Sequence, residues 1–298
     1  EVCSMRERSG GSCVFLLIAT MSLLFFGATE ALAGTAPDLG PDTIGCFDTN
    51  YGGSPSAVWY LRDANSTGDV SQWTAFGAPG TTLSPVVNAW LDDSNVTGLG
   101  LWDSSTGTFF VKDDPTTGGV ADDSTVLPIE PSVSTTTDPI PLAGHFGGAD
   151  VPGTGYYYPD VGVFVINTNP GNPTTVEPFL FGPVNAGDVY PVVGDWNGDG
   201  TDTVGVFVMS TGIWYQTDLL KGELVNGFQF GPPNSGWIPV AGDWDQLGGD
   251  SVGFYDPTTA TFKLRNTNTA GNSDIQAALG APGGSCQPVV GNWNLTPP

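Results

Sequence analysis

The run Asp195-Trp196-Asn197-Gly198-Asp199-Gly200-Thr201-Asp202 is where residue types and spacing could most directly do chemistry. An Asp-x-Asn-x-Asp-Gly order puts oxygen ligands at positions 1, 3 and 5 of a loop, and glycine at position 6 allows the turn that wraps them around one hard cation. Calcium is the expected occupant. Thr201 would add its carbonyl, and Asp202 the closing carboxylate, because position 9 of the loop is Thr203. The flanking runs read as strands and no Glu closes the loop at position 12, so this is not an EF-hand. A metal-free Asn-Gly and Asp-Gly turn joining two strands is the alternative.

Other constellations are weaker. Gly249-Asp250-Ser251-Val252-Gly253 matches a Gly-x-Ser-x-Gly nucleophile elbow, but an elbow needs a strand-to-helix turn. Here the match aligns with Gly200 to Gly205, a turn entering a strand. His145 is the sole histidine, which removes sites built on two imidazoles. A glycosidase would need a pair of carboxylates about 5 to 10 Å apart. The glutamates that follow the leader are Glu130, Glu177 and Glu223, and none falls in a motif that faces a common centre. No catalytic residue is assigned. Exposed aromatics beside Asn and Asp suit sugar binding, and Trp73 and Trp237, outside the strict repeat below, are ligand-contact candidates together with Tyr156, Tyr157 and Tyr158.

The elements that must position these residues repeat. Pro191-Val-Val-Gly-Asp-Trp196 recurs as Pro239-Val-Ala-Gly-Asp-Trp244 and Pro288-Val-Val-Gly-Asn-Trp293, with looser copies ending at Trp90 and Phe146. These aromatics are 56, 50, 48 and 49 residues apart. Gly100, Gly155, Gly205 and Gly253 each open a second signature, and a third aromatic (Phe109, Phe164, Trp214 or Phe262) follows nine residues later. Phe181-Gly-Pro, Phe230-Gly-Pro and Leu279-Gly-Ala-Pro mark a fourth run. Four short apolar runs per unit of about 50 residues, divided by Gly, Pro, Asp and Asn turns, predict four-stranded β-propeller blades. The sequence stops after the first run of a fifth unit, whose remaining runs lie at Gly45-Cys-Phe47, Trp59 and Phe76-Gly-Ala-Pro. Five blades are therefore expected, in an all-β propeller over 43–298 whose ring closes by pairing of N- and C-terminal strands. Trp90, Trp196, Trp244 and Trp293 are expected to pack between blades.

Val193 to Phe207, with the degenerate copy Ala241 to Tyr255, resembles the FG-GAP or VCBS-like repeats of secreted bacterial proteins. That resemblance implies a propeller in which the Asp-rich turn between the first two strands of a blade holds calcium, here through Asp195, Asn197, Asp199 and Thr201. The copy at Asp243 has Leu247 where a third oxygen belongs, and His145 replaces the first Asp of another. One calcium is expected, at Asp195.

Charge and composition bound the partners. With a net charge of −24, the chain lacks the Lys and Arg that phosphate backbones or anionic membranes demand, so nucleic acid is excluded. Gly and Pro, 43 and 25 residues, would suggest disorder, yet 39% hydrophobic content supports a sizeable core. Residues 1–33 read as a signal peptide: Arg6 and Arg8, an apolar run over 14–26, then Ala31-Leu-Ala33. A short linker, 34–42, follows. The sequence opens on Glu1, so Met5 is the true start or the sequence is a fragment. No membrane span is expected. Removal of the leader leaves Cys46 and Cys286, both in the composite blade, where export to an oxidising compartment would let them pair. Two unpaired buried thiols, or pairing with another chain, are the alternatives. The composite reading is an exported (secreted, extracellular or periplasmic), monomeric, non-catalytic module that binds a glycan or protein ligand, the rival being a glycan-active propeller enzyme.

Overall fold

The computed structural model describes residues 40–49, 56–80, 82–91, 96–128, 137–147, 152–168, 178–183, 188–221 and 225–293. All lie in the unit Pro37–Pro298. The predicted signal peptide, most of the linker, and Glu130, Glu177 and Glu223 fall outside the described residues.

The strands run β1 (Thr43–Asp48), β2 (Val58–Leu61), β3 (Gln72–Ala75); β4 (Ser84–Asn88), β5 (Gly98–Asp103), β6 (Thr108–Lys112), β7 (Asp123–Val126); β8 (Ile140–Gly144), β9 (Gly153–Tyr158), β10 (Val163–Asn167), β11 (Phe179–Leu180); β12 (Val189–Gly194), β13 (Thr203–Val208), β14 (Ile213–Gln216), β15 (Val225–Gln229); β16 (Ile238–Gly242), β17 (Ser251–Asp256), β18 (Thr261–Leu264), β19 (Ile275–Ala278); and β20 (Gln287–Gly291). They form five antiparallel sheets of four, ordered β4 to β7, β8 to β11, β12 to β15, β16 to β19, and β20-β1-β2-β3. The first strands β4, β8, β12, β16 and β20 neighbour one another in turn, and β20 returns to β4. This is a five-bladed β-propeller, closed as expected by the two ends of the chain.

Closure is a ladder. β20 pairs with β1 from Thr43↔Gly291 to Phe47↔Gln287, so the seam blade is held by main-chain hydrogen bonds between residues some 240 apart in sequence. Cys46 and Cys286 are joined by a disulfide, with Cα atoms 5.4 Å apart. Their pairing within one chain settles the alternatives left open by the sequence.

The core lies between blades. The alternation of a strand sends one side chain to each neighbouring blade; accordingly Val86 packs with Tyr156 and Tyr158 of the next blade, and Val87 with Leu99, Trp293 and the blade behind. Five such apolar clusters fill the five junctions. Trp244 sits with Ile44 and Cys46 of the following blade, Trp196 with Phe254, and Trp293 with Leu99 and Leu101, which is the inter-blade packing the repeat predicted. The recurrent glycine of each second strand has a physical reason: a Cβ on Gly205 would stand 3.0 Å from the Trp196 ring, and one on Gly253 3.2 Å from that of Trp244.

Candidate functional site at the end of the central channel

The five first strands enclose a cavity of about 560 Å³. Its wall repeats Pro-Val-Val or its variants, at Pro85, Pro141, Pro191, Pro239 and Pro288, and is apolar. One end is different. Asp42, Asp202 and Asp250 line it, with Asp195, Thr97, Asn88, Asn292 and His145.

These aspartates arrive by a rule of the repeat. Each immediately precedes the second strand of its blade and reaches across to the residue that directly follows the first strand of the blade before. Asp250 Oδ2 accepts the Asp195 N–H at 2.9 Å, Asp202 Oδ2 that of His145 at 2.6 Å, and Asp42 Oδ2 that of Asp243 at 3.0 Å. Thr97 Oγ1 does the same for Asn292, at 2.9 Å. In return the N–H groups of Asp250, Asp202, Asp42 and Thr97 donate to the carbonyls of Asp195, His145, Asp243 and Asn292. Four junctions thus carry a reciprocal pair of hydrogen bonds. The first-strand glycines make the approach possible, since a Cβ on Gly144 or Gly194 would lie 2.8 Å from the carboxylate of Asp202 or Asp250. Behind the collar, Asn65 Nδ2 donates to the Asp42 carbonyl and Asn268 Nδ2 to that of Asp250, at 2.7 and 2.8 Å.

The fifth junction breaks the rule. Pro152 holds the position of the capping residue and has neither a side-chain acceptor nor an N–H. Opposite it, the glycine of the other copies is replaced by Asn88, which is 6% exposed and whose Nδ2 has no hydrogen-bond partner among the described residues.

Burial and like charge disfavour the ionised forms of Asp42 and Asp250. Burial pushes Asp42 up to about 6, opposed by its hydrogen bond from Asp243 and reinforced by the charges of Asp243 and Asp202. Asp250 is raised well above the ordinary carboxylate range by burial, then by Asp42 and Asp202. No Lys or Arg is among the described residues that line the channel. His145 Nδ1 stands 3.7 Å from Asp202 Oδ2.

The Asp195 loop lies beside this mouth. Asp195 Oδ1 accepts the N–H groups of Gly198 and Asp199, and Oδ2 that of Gly200. Asn197 Nδ2 donates to Asp199 Oδ2 at 3.0 Å, and Asp199 Oδ1 accepts from Thr201 N at 2.9 Å. Partial burial raises Asp195, while the Asn197 amide and the Thr201 N–H hold Asp199 low. Asp195, Asn197, Asp199 and Thr201 therefore share one turn of oxygen donors, a set whose chemistry suits calcium. Asp202, expected to close that set, turns its Oδ2 to His145 N instead, because it belongs to the blade-to-blade rule. The degenerate copy folds alike: Asp243 accepts from Leu247 N and Gly248 N although Leu247 offers no ligand. Among the described residues no group of three His, Cys, Asp or Glu side chains is arranged to hold a metal.

The aromatic candidates divide. Trp73, on β3, is 62% exposed. Trp237 lies against Phe254 with the Lys263 ammonium 4.9 Å from its ring centre. Tyr156, Tyr157 and Tyr158 are corrected to core residues: all three are at most 1% exposed, since β9 is a second strand covered on both faces by neighbouring blades. Tyr156 Oη donates to the Pro128 carbonyl, and burial pushes the Tyr157 phenol up to about 12. Ser251 is buried at the start of β17 with its hydroxyl toward the Gly242 carbonyl, so the elbow match has no exposed nucleophile.

The collar of Asp42, Asp202 and Asp250 was not singled out in the sequence. A signal existed: the residues directly before the second strands, 42, 97, 152, 202 and 250, read Asp, Thr, Pro, Asp, Asp.

No family model matches the chain, and no curated protein matches it. Among solved structures, apo AztD from Citrobacter koseri is similar over 79% of this chain and 60% of its own length, at 15% identity and a TM-score of 0.34. This chain thus spans less than two thirds of that neighbour. No helix among the described residues is long and apolar enough to cross a membrane.

Proposed function

We propose that the protein is an exported, non-catalytic binding module whose ligand, a glycan or a protein segment, enters the polar end of the central channel. One observation carries this reading: the ring leaves a cavity of about 560 Å³, apolar along its wall and polar at one end. That volume and that mixture suit a small-molecule site or the tip of a larger ligand. Calcium in the Asp195 turn is part of the same proposal, held by Asp195, Asn197, Asp199 and the Thr201 carbonyl. Its role is structural, since the turn adjoins the junction where Asp250 caps Asp195. A glycan array read with wild type and with Asp250→Asn tests the site. A bound glycan whose signal drops in the variant supports it, and a ligand held equally by both places the site elsewhere.

A second reading has its own observation. Asp42, raised to about 6, and Asp250, raised well above the ordinary carboxylate range, are buried carboxyls in one mouth, as the acid of a glycosidase is. Release of reducing sugar from a glycan that binds, lost in Asp250→Asn, would establish the enzyme; binding without turnover supports the module.

A further inference from the structure

We infer that the channel takes a short extended peptide, held by main-chain hydrogen bonds along the open edges of the first strands. The inference rests on the channel being the binding site, and it chooses between the glycan and the protein segment left open there. The side chains of the wall are apolar, so its polarity is main chain. Opposite Val193, Ala241 and Val290 stand Val204, Val252 and Ile44. The carbonyls of those three accept the N–H groups of Thr217, Arg265 and Arg62, which continue the third strands. In an antiparallel sheet the N–H and C=O of one residue point to the same side, and successive residues alternate. Val204, Val252 and Ile44 therefore turn their main chain away from the first strand. Val193, Ala241 and Val290 turn theirs away from the second, toward the cavity they line. Val87 and Ala143 hold the same register, opposite Leu99 and Thr154. All five are half-buried, each between two buried neighbours, and their N–H and C=O groups have no hydrogen-bond partner among the described residues.

Pairing along each edge is bounded. Two positions earlier stands Pro85, Pro141, Pro191, Pro239 or Pro288, which presents a C=O but no N–H. Two positions later, at four junctions, both groups are used by the cross-junction caps at His145, Asp195, Asp243 and Asn292. The open residue between them offers a donor and an acceptor on one side, at the spacing at which antiparallel partners exchange two bonds. An extended peptide carries that pair in every residue, whereas the hydroxyls of a sugar carry no fixed pair. All five strands end at the collar, so a guest running the other way is antiparallel to each of them. Its next N–H reaches the proline carbonyl. Strand addition takes its affinity from the main chain and its specificity from side-chain pockets. The wall here is Val, Ala and Pro, so it admits small apolar side chains and asks for no charge. Proline and cap together stop the edge from growing a longer sheet, which keeps the guest short.

Three probes test this on the wild-type protein at millimolar concentration: acetyl-tetraalanine amide, the same peptide N-methylated at its second and fourth residues, and cellotetraose. Hydrogen exchange followed by NMR reads the five N–H groups directly. In the free protein Val87, Ala143, Val193, Ala241 and Val290 should exchange at least about a hundredfold faster than Val192 and Val240, whose N–H groups lie in the ladder. Acetyl-tetraalanine amide should slow exchange at one or more of the five by at least about tenfold, and N-methylation, which deletes two donors, should weaken binding about tenfold. If the five exchange as slowly as Val192 and Val240 in the free protein, the edges are closed and the inference falls. No protection by the peptide, or equal binding of its N-methylated form, also overturns it. Protection by cellotetraose equal to or above that by the peptide keeps the channel as the site and overturns the choice of a peptide. If a ligand found on the glycan array leaves all five N–H groups unchanged, the channel reading itself falls.

Discussion

Asp42 shows how one side chain links chain closure to pH. It lies just before β1, accepts the Asp243 N–H, and is pushed up to about 6 by burial and by Asp243 and Asp202. A carboxyl whose folded pKa exceeds its unfolded value binds its proton better when folded. Its burden on stability is therefore absent below the unfolded value near 3.8 and grows until pH passes the folded value near 6. Asp103, Asp122, Asp188 and Asp256 are lowered, and their contribution is lost only as pH falls below the ordinary carboxylate range. The melting temperature should thus peak between about pH 4 and 5 and fall toward pH 7, each raised unit amounting to about 1.4 kcal/mol. Asp42→Asn, which keeps the acceptor and removes the charge, should flatten that decline; a decline of the same slope in the variant would contradict the assignment. Gly194→Ala tests the close approach of Asp250. A Cβ at 2.8 Å from that carboxylate should lower stability by about 1 to 3 kcal/mol in urea unfolding, while Gly283→Ala, with open space around it but a left-handed backbone, should cost about 1.

Between β12 and β13, and again between β16 and β17, the same turn is built on a first Asp that gathers loop N–H groups. The metal expectation separates the two. Millimolar calcium added to chelator-treated protein should raise the melting temperature by mass action. Asp199→Ala should abolish most of that rise and Asp245→Ala should not. Calorimetry with no calcium heat at millimolar concentration would leave the Asp195 turn a hydrogen-bonded loop alone. β20 is the other element under test. It completes the seam blade, so deletion of residues 286–298 uncovers the edges of β1 and of the neighbouring first strands, and aggregation should follow. A soluble monomeric truncation with unchanged melting would oppose this.

Across the whole molecule the disulfide and the seam ladder act together. Cys46 and Cys286 close a loop of 240 residues, for which the chain-entropy account gives about 5 kcal/mol. Cys286→Ser should therefore lower unfolding free energy by several kcal/mol while the native ring still forms, because β20 and β1 keep their ladder. Equal stability of oxidised and reduced protein would show that the ladder alone holds the ring.

The repeat by itself determined the blade count, the four runs per blade and the composite seam, because Trp196, Gly205 and Phe230-Gly-Pro recur at fixed spacing and each answers a local need of strand or turn. Local need also made Asp195 to Thr201 legible as one turn. The tyrosines at 156–158 were misread because alternation cannot show whether a second strand has one covered face or two. The collar could not be read from any one unit. Asp202 sits in the apparent metal motif, yet its partner is His145 in another blade, 57 residues away. Asp42 meets Asp243 across 201 residues, and Asn88 stands where the other first strands end in glycine, at the junction whose capping position is Pro152. Such contacts exist only once five blades are set around an axis, since ring geometry, not neighbouring sequence, brings three aspartates to one mouth and gives their charges a common field.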